Sequence, residues 1–392
     1  MKIRIAVVLS HPIQHFAPQF RSWSRRPDVA LKVLYGSSKG LSPYHDPSFN
    51  TTVTWGESVA SGYDLELLDE ALASPAPLRF QLDSRILDYR LSEFDPHVVV
   101  TYGYAQLLQF RARRWGIRNG RHLAYISDSE NRQLAGKQRS WSKRRAVGRF
   151  LRPYRTLLTV GDANEEYYRS LGIPGERMLR MRFPVDVDSY EDAWLDRKRL
   201  RDETRASFGI HKEDVAALVV GKLIDRKRQI DAMQACESAL PECNVKLILA
   251  GSGPNDHQLQ QWAAETRAKT PVFAGFVDVH KLPAMYAAAD LLIHPSSIDP
   301  HPLAISEAIY MGLPVLVSER VGSWGPSDDV IEGQNGYVFK PGDIAGMRTL
   351  IERLASDHSL RETLGNRSRS MAVQYQARAH GDFIPELLAR IH

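Results

Sequence analysis

Short apolar runs alternate with longer stretches in which apolar residues recur every three or four positions, and this pattern covers nearly the whole chain. A run of four to eight apolar residues reads as a buried strand and the 3.6-residue period as an amphipathic helix. Their alternation predicts an α/β fold of parallel sheets with crossover helices. In the first half the pattern predicts strands at residues 3–9, 31–35, 97–102, 122–127 and 156–160, with helices at 17–25, 84–94, 104–115 and 164–171. Residues 36–62, rich in Ser, Pro, Gly, Asn and Thr, read as a long loop or small excursion. The pattern then restarts, with strands at 215–221, 245–250, 272–274, 291–294 and 315–318 and helices at 229–240, 256–268, 282–289 and 303–311. Further helical patterns occupy 344–355, 360–373 and 383–391. Between the halves lie Phe183-Pro-Val-Asp-Val-Asp-Ser-Tyr190 and the charged run 196–205. The expected division is therefore two Rossmann-like domains, 1–185 and 206–374, joined by 186–205, with a helix at 375–392 packing back toward the first domain.

A chain of 392 residues is long for one core, which agrees with two domains. With 43% hydrophobic and 25% charged residues it has the composition of an ordinary globular protein. The opening apolar run is too short for a signal peptide, and no stretch approaches the roughly 18 uncharged apolar residues of a membrane helix. The two cysteines, Cys236 and Cys243, are too few for a disulfide framework. These features together lead us to expect a cytoplasmic protein. Net charge is +5, and much of it is local. Arg132, Lys137, Arg139, Lys143, Arg144, Arg145, Arg149, Arg152 and Arg155 crowd one segment without an acid. This is either a solvated helical face or a basic amphipathic helix, with Trp141, Val147, Phe150 and Leu151 interleaved. In the second case it touches anionic lipid at the inner face of the membrane or holds a phosphorylated acceptor. Nucleic acid is not the expected partner, because no recognised binding motif accompanies the patch.

The most informative segment runs from His294 to Val315. A predicted strand ends at His294, a Pro-rich turn carries Asp299, and a helix begins near Pro302, where proline fits the first turn. The amides of Leu303 and Ala304 then point out of the helix N-terminus, where a phosphate or sugar hydroxyl can bind. Glu307 follows one turn inside that helix, so two acids can serve as acceptors around one ligand.

This half resembles glycosyltransferase family 4, which has the GT-B fold. The family pattern of an acid, seven residues and Glu, then Ala-x-x-x-Gly-x-Pro-Val, is matched by Asp299-x7-Glu307-Ala308-x3-Gly312-Leu313-Pro314-Val315. The resemblance implies that Asp299, standing where Glu is usual, contacts the donor sugar and that Glu307 holds the nucleotide ribose. Gly221-Lys222-Leu223-Ile-Asp-Arg-Lys227 resembles the family's Gly-Arg-Leu-x-x-x-Lys. Lys222 and Lys227 are thereby implied to neutralise the donor diphosphate as the glycosidic bond breaks. Gly251 in Ala250-Gly-Ser-Gly-Pro254 supplies a turn of close approach, and Val277 corresponds to the base-binding strand end. In the first half the family's Gly-Gly loop is replaced by Ser10-His-Pro-Ile-Gln-His15, where Gln14 or the imidazoles can contact donor or acceptor. Ser127 and Asp128 stand where the family carries a His beside the transferred sugar.

The resemblance implies a retaining transfer of a hexosyl or pentosyl group from a nucleotide-diphospho-sugar. The acceptor, a sugar, lipid-linked sugar or small metabolite, would be held by the first domain. Asp186-Val-Asp188 has the spacing of a metal-binding Asp-x-Asp, but no metal or other cofactor is expected, since Lys222 and Lys227 already supply positive charge. The alternatives are a non-catalytic protein that binds a sugar nucleotide or a partner, and a GT-B epimerase or phosphorylase.

Overall fold

The computed structural model describes residues 2–41, 43–46, 51–53, 57–68, 79–134, 140–268 and 270–391. Lys137 and Arg139 of the basic segment lie outside the described residues. The first half contains β1 (Ile3–Leu9), β2 (Val29–Tyr35), β3 (Tyr44–Asp46), β4 (Thr51–Val53), β5 (Leu65–Leu67), β6 (Val98–Tyr102), β7 (His122–Ile126), β8 (Thr156–Thr159) and β9 (Met178–Arg180). β3 and β4 pair antiparallel as a separate hairpin. The other seven form a parallel sheet in the order β5-β2-β1-β6-β7-β8-β9. The second half contains β10 (Val215–Val220), β11 (Val245–Ala250), β12 (Pro271–Gly275), β13 (Leu291–His294), β14 (Val315–Ser318) and β15 (Gly336–Phe339). These make a second parallel sheet in the order β12-β11-β10-β13-β14-β15.

β1 shows why the sheets are parallel and central. Its last five residues are buried, and it pairs with β2 on one side and β6 on the other. A strand covered on both faces needs a continuous apolar run, which Ile-Ala-Val-Val-Leu provides. Helices Phe16–Ser24 and Ile384–Ala389 cover one face of this sheet, with Phe20, Trp23, Phe383 and Leu387 in their shared core. Helices Leu107–Arg118 and Trp141–Leu151 cover the other, through Leu108, Trp115, Val147 and Phe150.

The segment expected as a connection folds as two helices, Val187–Leu195 and Arg197–Ser207. Tyr190 and Ala193 of the first pack in the second domain's core beside Tyr286 and Ile305. The chain crosses back after the helix His358–Ala377. Phe383, fully buried, packs against Trp23 at 5.4 Å between ring centres, and Gln19 Nε2 donates to the Ala379 carbonyl at 2.6 Å. A third tie comes from the loop after β14. Asp162 accepts hydrogen bonds from the Ser327 amide at 2.8 Å and the Ser327 hydroxyl at 2.6 Å, and its own amide donates to Asp328 Oδ2 at 2.6 Å. Arg180 binds both Asp162, at 2.7 Å, and the Ser327 carbonyl, at 3.1 Å. Gly161 has no room for a side chain here, since a Cβ would stand 2.4 Å from Asp328 Oδ2.

In each sheet the chain first adds strands on one side of its starting strand and then on the other, so strand order reverses at β1/β6 and at β10/β13. Ligands of open parallel sheets bind beyond the strand ends at such a switch point. Here the loops from both switch points meet in one cleft.

Candidate functional site

The cleft holds a cavity of about 380 Å³ whose walls come from both domains. Gln14, His15 and Arg21 contribute from the first domain. Gly221, Gly251 and Glu307 contribute from the second. Its floor is made where β10 and β11 end. Gly221 and Gly251 both have positive φ, 139° and 158°, and a Cβ on Gly251 would lie 1.9 Å from the Gly221 carbonyl oxygen. Only glycine lets these strand ends approach so closely, and the backbone stays accessible to a ligand. Val277 and its neighbours Phe276 and Asp278, following β12, line one end.

Glu307 projects from the helix Leu303–Tyr310, and Leu303 at the first position of that helix lines the same cavity. Burial pushes the Glu307 carboxyl above its ordinary range, opposed by the hydroxyls of Tyr286 and Tyr190. Tyr286 donates to Glu307 Oε2 at 2.6 Å. This fixes one carboxylate oxygen of a residue that lines the cavity.

Beside the cavity lies a second, more highly charged group. Asp299 Oδ2 accepts from Lys227 Nζ and sits 2.7 Å from His294 Nε2. Burial alone would raise the Asp299 carboxyl, but the Lys227 ammonium and the His294 hydrogen bond hold it well below the usual carboxylate range. His294 Nδ1 is buried with no hydrogen-bond partner. Lys227 reaches within 3.8 Å of where a Gly221 Cβ would stand, so the ammonium sits next to the cavity floor. Asp128 faces this group across the cleft. Burial raises its carboxyl, with the Asp299 charge adding to the rise and His301 opposing it.

Gln14, Gly251, Val277, Leu303 and Glu307, all singled out in the sequence, thus line one cavity. Lys227, Asp299 and Asp128 adjoin it. Ala304 follows Leu303 in the first turn of the same helix. Lys222 lies on the loop after β10, and its carbonyl accepts from Gln229 Nε2 at 2.7 Å. Ser127 is placed differently: it is buried in the first domain with its hydroxyl 3.0 Å from that of Tyr168. Asp186 lines the cavity at the N-cap of the helix Val187–Leu195, and Asp188 follows in its first turn.

Sequence reasoning missed Tyr190, Tyr286, Arg21 and His301. Tyr190 falls in the segment expected as a connection, and Tyr286 in a predicted helix carries no motif of its own. The sequence offers His15 only as an alternative to Gln14 in the loop after β1. It lines the cavity with Nε2 buried and unpartnered, and burial together with His301 lowers its pKa to about 4. It is a neutral hydrogen-bonding group at neutral pH.

With this geometry in view, likeness to known proteins can be placed on it. Residues 201–371, which hold Lys222, Lys227, Gly251, Val277, Asp299, Leu303 and Glu307, match the family described as Glycosyl transferases group 1. The chain is 26% identical over 271 residues to the alpha-D-kanosaminyltransferase of Streptomyces kanamyceticus, covering 68% of this chain and 67% of that one. It is 28% identical over 153 residues to the sulfoquinovosyl transferase SQD2 of Arabidopsis thaliana, covering 39% of this chain and 29% of that one. The matched stretch thus spans under a third of the plant relative's length. Among solved structures, Anabaena HepE in complex with UDP superimposes with a TM-score of 0.71 at 17% identity, over 99% of this chain and 100% of that one. At that identity the likeness establishes the fold, and the two facing parallel-sheet domains are those of GT-B proteins.

Proposed function

We propose that this chain, whose residues 201–371 form a glycosyl transferases group 1 domain, moves a sugar from a nucleotide-diphospho-sugar to an acceptor hydroxyl in glycoconjugate biosynthesis. The observation that carries the reading is the juxtaposition in one interdomain cleft of Glu307, the glycine floor, and the Lys227–Asp299–His294 group. The binding of UDP and UDP-glucose by Anabaena HepE, which shares the fold, supports a nucleotide-sugar donor.

In this reading the base lies against Val277 and the ribose hydroxyls bond to Glu307. The diphosphate meets Lys222, Lys227 and the amides of Leu303 and Ala304, where a helix N-terminus favours anions. The sugar lies between Asp299 and Asp128. The bond from the anomeric carbon to the diphosphate oxygen breaks as the bond to the acceptor oxygen forms. Lys227 stabilises the charge that builds on the leaving phosphate. The acceptor proton passes to that phosphate, and configuration is retained, as in glycosyltransferase family 4. The first domain presents the acceptor, and water is excluded by the cleft. No metal is needed where lysines stand beside the diphosphate. The reaction belongs in the cytoplasm, where nucleotide sugars are made.

Thermal unfolding in the presence of a panel of nucleoside diphosphates and nucleotide sugars tests this. A donor at a hundredfold excess over its Kd adds about 2.7 kcal/mol of apparent stability. A chain that no nucleoside diphosphate or nucleotide sugar stabilises is not a donor-dependent transferase.

A further inference from the structure

The first domain carries a second feature that the donor cleft does not use. Helices Leu107–Arg118 and Trp141–Leu151 lie in the same layer over the first sheet, and they touch through Phe110 and Phe150, 4.8 Å apart, and through Arg113 Nε donating to the Phe150 carbonyl at 2.9 Å. Their outer faces therefore adjoin. The first helix contains Arg111, Arg113, Arg114 and Arg118, the second Lys143, Arg144, Arg145 and Arg149, and neither contains an acid. Arg111 pairs with Asp83. Among the described residues, none of the other seven has a carboxylate within ion-pair distance.

Apolar side chains stand exposed among these cations. Leu107, Phe110 and Ile117 are 42%, 36% and 48% exposed and recur with Arg114 at three- to four-residue spacing, one stripe along the helix; Trp141 is 71% exposed. On the second helix the exposed positions Trp141, Arg145 and Arg149 follow at four-residue spacing, and the Arg145 guanidinium stacks over the Trp141 ring at 4.7 Å. Between this helix and the turn at 170–173 is an open depression of about 700 Å³ lined by Trp141, Arg144, Arg145, Arg149, Arg152 and Arg177. Two of these arginines are held in place by main-chain carbonyls, Arg144 by Ser170 and Arg177 by Leu151.

A surface adapted only to water intersperses charges of both signs and carries few large apolar groups. We propose that this two-helix face docks on an anionic lipid bilayer, with the arginines meeting headgroup phosphates and Trp141, Phe110, Leu107 and Ile117 entering the interfacial zone. A nucleic-acid duplex satisfies the arginines but leaves the apolar stripe in water, and a small soluble phosphate fills only the depression. The bilayer uses both. The helix Phe16–Ser24, which gives Arg21 to the cleft, lies over the opposite face of the sheet, so docking leaves donor binding independent.

Co-sedimentation of the full chain with vesicles of phosphatidylcholine alone and of phosphatidylcholine mixed with phosphatidylglycerol tests the assignment. The expected result is binding to the anionic vesicles only, weakening as salt rises because exposed charges are screened beyond about 8–10 Å. The double variant Arg145→Glu, Arg149→Glu should lose roughly tenfold or more in partitioning at low salt. A second variant, Trp141→Ser with Ile117→Ser, should weaken binding while leaving its salt dependence unchanged, which a purely ionic site would not do. Thermal stabilisation by UDP, measured on the same samples, reports folding and the donor reading separately. Equal binding to neutral vesicles, no binding to either, or full binding by both variants overturns the proposal. So does binding to heparin or an RNA duplex that the arginine pair abolishes and the apolar pair leaves intact, if the vesicles behave in the same way.

Discussion

Burial pushes Glu307 toward its protonated form, while Lys227 and His294 keep Asp299 ionised eight positions earlier. The two acids therefore answer different tests. Glu307→Ala should leave the fold intact and lower nucleoside-diphosphate affinity by about 1–3 kcal/mol, roughly five- to a hundredfold, because ribose hydroxyls lose a buried carboxyl partner. Titration calorimetry with unchanged affinity would remove Glu307 from the donor site. Asp299 has a native pKa below its unfolded one, so the unfolded chain binds more protons between those values and stability rises with pH there. Its contribution is complete above pH ~5 and is lost as pH falls through the native value. Asp299→Asn should accordingly lower Tm at pH 7, and the gap from the parent should begin to narrow only below pH ~4. Asp186 and Asp188 give a third test: transfer should survive saturating EDTA, and loss restored by manganese would reassign them to a cation.

At the scale of elements, the close approach of two strand ends and the packing of one returning segment are the sensitive points. Gly251→Ala places a methyl against the Gly221 carbonyl, and such overpacking costs at least about 1–3 kcal/mol, readable by urea unfolding and as a loss of UDP binding. Phe383→Ala empties a fully buried site against Trp23 and should cost about 3–5 kcal/mol in the same assay. The sequence made the long strands and most helices legible because each buries a whole face. β5 and β9 were not seen, since three residues carry too little pattern, and β15 opens with a glycine. The charged run at 196–205 read as a linker, yet it is a helix. Arg205 is buried there and bonds to Asp290, while Arg201 binds the same carboxylate at 2.6 Å. Polar residues that pair across elements look like surface until the partner is known. The site divided in the same way. Glu307, Gly251 and Val277 were legible through short motifs and the family resemblance they carry, whereas Tyr190 and Tyr286 reach Glu307 only because distant helices pack together.

Across the whole molecule the domains are joined by two chain crossings and by the Asp162–Arg180–Ser327–Asp328 cluster. The polar cluster ties the two domains together away from the crossings, beside further bonds from Arg132 to the Val321 carbonyl and from Arg182 to Asp329. Removing it with Asp162→Ala should raise the radius of gyration in small-angle scattering, and UDP should bring it back, since a ligand touching both walls favours the closed arrangement. An unchanged profile would mean that the Asp162 cluster does not hold the domains in register. The second crossing also bears on how the protein is made. The first domain is discontinuous: Phe383, Ile384 and Leu387 belong to its core, although its last strand ends far earlier, at Arg180. On the ribosome, Phe20 and Trp23 must wait uncovered through synthesis of the entire second domain, which has all its own strands long before residue 383 emerges. The half made first is thus the half finished last, and a chaperone or a stalled ribosome would meet it with that apolar surface bare.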